Sequence, residues 1–256
     1  MKRSWVSPAR TRFIGPGAWY RAALGAAVIT FAMLGLPASG QTLDDSKSLR
    51  IGIIGTGSIG GALARHWAKA GHELVISSRH PEELQSLAKS LGPKVRAGTP
   101  REAAVFGDVV LVSIPYGAMP QLGRDLRSEL QGKIVLDTGN PYPTRDGPMA
   151  DEARKKGTGA ASSEFLPGTR LVRAFNAINS SPLVTASNRA GARVAIPLAG
   201  DDAEALRVAQ RLVRDAGFDP VVVGGLESAR RFDVGTPVYV RLLTAAELRK
   251  ELNLSP

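Results

Sequence analysis

After residue 48 the chain alternates short apolar runs with stretches whose apolar residues recur every three or four positions. Leu49–Ile54 predicts a strand, and Ser58–Ala70 predicts a helix, with Ile59, Leu63 and Trp67 at helical spacing. Gly71 follows, in the position helices favour for a left-handed closing residue. Glu73–Ser77 reads as a second strand, and Pro81–Leu91 as a helix with proline in its first turn and Gly92 after it. Lys94–Ala97 is a short third strand. Thr99-Pro100-Arg101-Glu102 reads as an N-cap and a first-turn proline opening a helix to Phe106. Asp108–Ile114 (DVVLVSI) is almost continuously apolar, as a parallel strand buried on both faces must be. Residues 119–130 are helical in pattern, and Lys133–Asp137 is a fifth strand.

The second half is less regular. Residues 139–150, rich in Pro and Gly, read as a loop, and Asp151–Lys156 and Ser163–Leu166 as short helices. Leu171–Phe175, Arg193–Ala199 and Asp219–Val223 predict three more strands, with a helix over Asp202–Ala216. Glu227–Phe232 begins a helix that Gly235-Thr236-Pro237 interrupts, and Thr244–Leu252 is the last helix. The rhythm predicts an α/β chain: one Rossmann-type, doubly wound, mostly parallel sheet over residues 49–256, with short C-terminal helices.

The turn after the first strand carries the chemistry. Gly55-Thr56-Gly57-Ser58-Ile59-Gly60 is a G-x-G-x-x-G that leaves an apolar strand and opens a helix, with a second strand ending about twenty residues on. Gly55 permits the tight turn, Gly57 lets a pyrophosphate approach bare backbone, and Gly60 allows close packing of helix and sheet. Free N–H groups and the helix dipole at that terminus attract phosphate. The second strand ends in Ser77-Ser78-Arg79-His80, with no carboxylate before Glu82. A carboxylate there would bind a ribose 2′-hydroxyl. Arg79, with Ser78 and His80 as further donors, suits a 2′-phosphate, so the expected cofactor is NADP(H).

Composition narrows the alternatives. The 256 residues include no Cys, which excludes thiolate metal sites, Cys nucleophiles and redox dithiols. The net charge of +10 would suggest a polyanion partner, but residues 1–40 hold five of the basic residues and no acids. The remainder carries 28 basic and 23 acidic groups, too small a surplus to predict nucleic-acid binding. Residues 1–21 are basic and polar, Ala22–Leu36 is an uncharged apolar run, and Pro37-Ala38-Ser39-Gly40 is built for cleavage. That is the plan of a signal peptide, followed by a linker over residues 41–48. Fifteen helical residues rise about 22 Å, short of a roughly 30 Å hydrocarbon core. The expectation is export to the periplasm. A retained N-terminal anchor is one alternative, and a cytoplasmic protein with a misassigned start is another.

The segments IGIIGTGSIGGALA, VISSRHPE, VLVSIPYGA and LVRAFNAIN resemble the coenzyme F420-dependent NADP oxidoreductases. The reductase domain of the six-transmembrane metalloreductases is similar. The resemblance covers roughly residues 49–232. It implies an NADP-binding Rossmann fold that passes hydride between NADPH and a small acceptor, a deazaflavin (coenzyme F420) or a flavin. It further implies that Thr56, Gly57, Ser58 and Ile59 cradle the pyrophosphate and that Ser78 and Arg79 hold the 2′-phosphate. Ile114 and Pro115 would lie along the adenosine and the phosphates, with Asn140, Asn176 and Ala177 near the nicotinamide. Glu83 stands roughly where archaeal members place a lysine, and the last helix, which in the family helps cover the acceptor, is broken here.

Other candidates are weighed on the residues alone. Asn176, after a buried strand, could bond the nicotinamide carboxamide or form a turn, and Tyr116 could stack on the cofactor or pack. Asp137 could transfer a proton or cap a loop. His66 reads as a surface or packing residue, and His72 and His80 lack partners at ligand spacing, so no metal site is expected. Asp201-Asp202 reads as a helix cap; Lys155-Lys156 and Arg230-Arg231 read as solvated faces, with Arg230 able to reach an anionic acceptor tail. No catalytic residue is assigned, because hydride transfer needs positioning and water exclusion rather than a nucleophile. The partner expected is a small-molecule acceptor, with a homodimer as the assembly. The rival readings are a reductase of a C=N or C=O substrate, similar to pyrroline-carboxylate reductase, and an exported nucleotide-binding sensor without turnover.

Overall fold

The computed structural model describes residues 47–255. The expected leader and most of the linker lie outside the described residues. Eight strands form one sheet: β1 (Arg50–Ile54), β2 (Glu73–Ser77), β3 (Val95–Gly98), β4 (Val109–Val112), β5 (Ile134–Asp137), β6 (Arg170–Arg173), β7 (Ala195–Gly200) and β8 (Asp219–Gly224). Their order is β3-β2-β1-β4-β5-β6-β7-β8. All neighbours pair in parallel except β6 and β7, which are antiparallel, while β8 runs parallel to β7. Chain order reverses between β1 and β4, and in open α/β sheets the crevice at that point receives ligands.

The helices cover both faces. They are α1 (Ser58–Lys69), α2 (Gln85–Leu91), α3 (Pro100–Phe106), α4 (Met119–Asp125), α5 (Arg127–Leu130), α6 (Pro143–Asp146), α7 (Pro148–Lys156), α8 (Thr158–Phe165), α9 (Ser180–Thr185), α10 (Ala203–Asp215) and α11 (Ala245–Glu251). β4 explains why two faces are needed. Val109 and Leu111 join the core under α1 and α10, with Leu63, Trp67 and Leu212, whereas Val110 and Val112 join the opposite core with Ala103, Met119 and Leu130. A third apolar cluster, Val221, Phe232, Val238, Leu243 and Leu248, holds the C-terminal segment against β7 and β8.

Several local expectations hold and some move. Thr99 and Glu102 form a complete capping box on α3, and Asp202 caps α10 by accepting from the Ala205 N–H. The expected loop over 139–150 contains α6 and the start of α7, each opened by a proline in its first turn. Residues 81–84 and 226–231 are 3-10 turns rather than α-helix, and α9 had no sequence signal. The histidines on α1 and after it are structural. His66 Nε2 lies 2.8 Å from the Leu183 carbonyl, and buried His72 accepts from Leu49 N–H and reaches Asp215 at 3.0 Å.

Candidate functional site

The strand-to-helix turn after β1 is tied to the end of β2. Gly55 N–H, Thr56 N–H and Thr56 Oγ1 all donate to the Ser77 carbonyl, at 3.1, 3.1 and 3.0 Å. Gly55 has φ +94°, which a side chain would strain, and a Cβ there would stand 2.3 Å from the Ser113 carbonyl oxygen. A Cβ on Gly60 would stand 2.1 Å from the Gly55 carbonyl oxygen, so this glycine lets α1 start directly over the turn. A Cβ on Gly57 would meet no heavy atom within 4 Å. Gly57 is the N-cap of α1, no side chain caps the helix, and its first turn holds no acid. The N–H groups of that turn are therefore directed outward without a protein acceptor at the cap.

They open on a cavity of about 330 Å³. Gly57, Ser58 and Ile59 form one wall. Ser113, Ile114 and Pro115 beyond β4 and Thr138, Gly139 and Asn140 beyond β5 form the floor. Phe175 and Asn176 beyond β6, with Tyr142, Arg145 and Tyr239, form the far wall. The cavity thus runs along the carboxyl ends of the strands from the reversal point. Phe175, buried and non-glycine, has φ +58°, a strained conformation in a residue of the cavity wall.

The predicted residues divide by position. Gly57, Ser58, Ile59, Ile114, Pro115, Asn140 and Asn176 line the cavity. Gly55, Thr56 and Gly60 shape the turn behind it. Ser78, Arg79 and His80 lie one strand over, at the end of β2, which pairs with β1 through Ile54 and Ser77. Ser78 Oγ accepts from His80 N–H at 3.0 Å, Arg79 is exposed, and His80 Nδ1 is 3.3 Å from Glu82. Ala177 is buried outside the lining, where its carbonyl accepts from Val240 N–H at 3.0 Å.

Asn140 Nδ2 donates to the Asn176 carbonyl at 2.8 Å and to Tyr239 Oη at 3.3 Å. Asn176 is 2% exposed, and its Oδ1 has no hydrogen-bond partner. Its Nδ2 donates to the Phe232 carbonyl at 3.4 Å, so the amide is held between the two segments that flank the cavity.

Two candidates have other duties. Tyr116 is fully buried, with Oη 3.0 Å from Ser162 Oγ, so it packs under the floor and does not stack in the cavity. Burial pushes its phenol up, and the Asp137 charge adds to the shift. Asp137 is fully buried too; it accepts from Gly139 N–H at 2.7 Å and pairs with Arg173. It is a loop-holding carboxylate rather than a proton-transfer acid. Arg230 donates to the Lys156 carbonyl at 3.0 Å. Sequence reasoning missed Tyr142, Arg145 and Tyr239; the first two sit in the proline-rich stretch taken for a loop, and Tyr239 follows the interrupted helix. Among the described residues, no group of three or more His, Asp or Glu could hold a metal ion, and no helix is long and apolar enough to cross a membrane.

Comparison with known proteins finds similarity to NADP-dependent reductases. The F420-dependent NADP reductase of Methanothermobacter thermautotrophicus is 30% identical over 208 residues, covering 76% of this chain and 89% of the relative. The metalloreductase STEAP3 of Rattus norvegicus is 28% identical over 201 residues, covering 76% of this chain but only 37% of that longer protein. Among solved structures, a hypothetical protein from Sinorhizobium meliloti superposes with a TM-score of 0.67 at 27% identity, covering 78% of this chain and 97% of that one. The family described as "NADP oxidoreductase coenzyme F420-dependent" matches residues 50–141. With its reversal-point cavity and its near full-length archaeal relative, the chain belongs to the coenzyme F420-dependent NADP oxidoreductase family.

Proposed function

We propose that the cavity and the adjoining end of β2 bind NADP(H), and that the protein moves hydride between it and a small redox acceptor of the deazaflavin or flavin kind. The observation that carries the reading is Gly57. It faces a cavity at the uncapped start of α1, and a side chain there would fill space and touch nothing. The residues present fit the cofactor. A pyrophosphate would rest on the N–H groups of Gly57, Ser58 and Ile59 with the helix dipole behind them. Arg79 and Ser78, with His80 beside them, would take the 2′-phosphate, and the absence of a carboxylate at that strand end removes the repulsion an NAD site imposes. Ile114 and Pro115 supply apolar contact. Asn140 and Asn176 line the cavity beyond β5 and β6 and would stand beside the nicotinamide carboxamide.

The bound cofactor supplies a hydride at its nicotinamide ring. The chain's part is to orient that ring and keep water away. Phe175, Ile178 and Pro115 make the walls partly apolar, and Asn140 braces Asn176 through its backbone. The test is a fluorescence titration of the protein with NADPH and NADH. Saturation is expected with NADPH, at least tenfold tighter than with NADH, a difference of about 1.4 kcal/mol. No saturation with either coenzyme overturns the reading.

A further inference from the structure

The cavity is lined by two phenols that cofactor binding leaves unused. Tyr142 Oη and Tyr239 Oη stand 2.5 Å apart, on half-buried side chains that both line the cavity. They come from segments 97 residues apart, so the pair exists only in the folded chain. Asn140 Nδ2 also donates to Tyr239 Oη, at 3.3 Å. The backbone fixes the ring. Val240, next in sequence, has φ +55°, rare for a β-branched residue, and its N–H is held by the Ala177 carbonyl. Strain of this kind persists only where the surroundings over-determine it.

The hydrogen-bond arithmetic assigns a task. Either hydroxyl of the pair can donate. With Tyr142 donating, Tyr239 Oη accepts from Tyr142 and from Asn140, and its own proton is free for the cavity. The same two donors then meet the phenolate left behind. The charged groups around the pair are few. Arg145 lies 5.1 Å over the Tyr142 ring and is itself paired with Asp146, while Arg173 and Asp233 act on Tyr239 with opposite signs. Burial, reinforced by Tyr142, pushes the Tyr239 phenol up, so it carries its proton at neutral pH.

Resting on the NADP(H) reading above, we propose that Tyr239 is the proton donor to the acceptor and that Tyr142 refills it from solvent. The acceptor is then a C=N, C=O or conjugated ring system that takes hydride at carbon and a proton at a heteroatom. The hydride pair from NADPH forms a C–H bond at the electrophilic carbon. The π pair moves to the heteroatom, which takes the proton from Tyr239 Oη. NADPH is oxidised, the acceptor is reduced by two electrons, and one proton is drawn from water through Tyr142. A ferric complex, which takes single electrons and no proton, has no use for the pair.

The test uses the full chain. NADPH binding is read by fluorescence, and turnover is then measured with a deazaflavin, a cyclic imine and ferricyanide. For Tyr239→Phe we expect NADPH affinity within about twofold of the parent, because the ring stays in the wall and only a hydroxyl not assigned to the cofactor is lost. Turnover of the deazaflavin or the imine should fall about a hundredfold or more, and the solvent deuterium isotope effect on it should change. Tyrosinate absorbance should lose one phenol that titrates at high pH. Tyr142→Phe should keep the binding and lose less of the turnover. The proposal is overturned if Tyr239→Phe binds NADPH normally and retains turnover, or if it loses NADPH binding itself. It is equally overturned if the parent binds NADPH but reduces only ferricyanide, or none of the three. A parent that binds no NADPH overturns the underlying reading, and this one with it.

Discussion

Arg173 Nη1 stands 2.5 Å from Asp137 Oδ2, and both side chains are fully buried. The two residues are register partners on β5 and β6. Asp233, from the segment after β8, approaches the same guanidinium at 3.6 Å and accepts from Thr158 N–H at 3.1 Å. Burial works against the Arg173 charge, but the carboxylates of Asp137 and Asp233 outweigh it and keep the guanidinium protonated. The pair therefore fastens the cavity floor, through Gly139, to the segment that carries Tyr239.

Removing one member leaves the other charge buried and alone. Arg173→Met should cost about 3–5 kcal/mol in urea unfolding. Adding Asp137→Asn removes the orphaned charge and should recover part of that loss. Simple addition of the two single losses would show that the residues do not act as a pair.

Arg79→Glu should weaken NADPH binding by about 1.5–3 kcal/mol, the scale of a charged hydrogen bond, and leave NADH nearly unchanged. Titration of both coenzymes against the same variant checks this. Equal losses for the two would remove Arg79 from the 2′-phosphate site.

Gly57, the N-cap of α1, and Gly60, in its first turn, should separate binding from stability. Gly57→Ala puts a methyl group into open cavity, so the melting temperature should barely move while NADPH affinity falls about tenfold or more. Gly60→Ala drives a Cβ to 2.1 Å from the Gly55 carbonyl oxygen and should cost about 1–3 kcal/mol in stability. Thermal melts and coenzyme titration of both variants make the comparison.

Acid should loosen the start of α10. The Arg170 guanidinium, bonded to Asp202 at 2.6 and 3.0 Å, holds that carboxyl down to about 2, with the Ala205 N–H contributing. The folded value lies below the ordinary 3.8, so this stabilisation is complete above that pH and is lost as pH falls towards 2. Melting temperatures across that window should decline more gently in Asp202→Ala. The variant should also be about 1 kcal/mol less stable at neutral pH through loss of the cap. Parallel declines in the two proteins would count against the assignment.

What could be read from the sequence followed the range of the interaction. The apolar run at Val109–Val112, the capping residues Thr99 and Glu102, and the glycines at 55, 57 and 60 act through neighbours a few positions away. They predict the strand, the helix start and the turn directly. Proline misled at residues 143 and 148, because the same residue marks a loop and suits the first turn of a helix. Tyr116 follows an apolar strand and leaves stacking and packing both open; its partner Ser162, 46 positions on, draws the ring below the floor. Asp137 leaves a proton-transfer acid and a loop cap both open until Arg173, 36 positions away, is brought beside it. Tyr142 and Tyr239 had no local signal, since only the closing of the C-terminal segment over the sheet brings them together.

The reversed direction of β7 and β8 has a consequence for the path of the C-terminal segment. Chain leaving β8 departs from the edge opposite the nucleotide crevice and must climb back, outside the ladder of strands, to reach it. Tyr239, the proposed proton donor, is thereby carried on an appendage with few sheet bonds of its own. On the proposed reading, substitutions between positions 233 and 243 should alter which acceptor is reduced and leave dinucleotide binding in place.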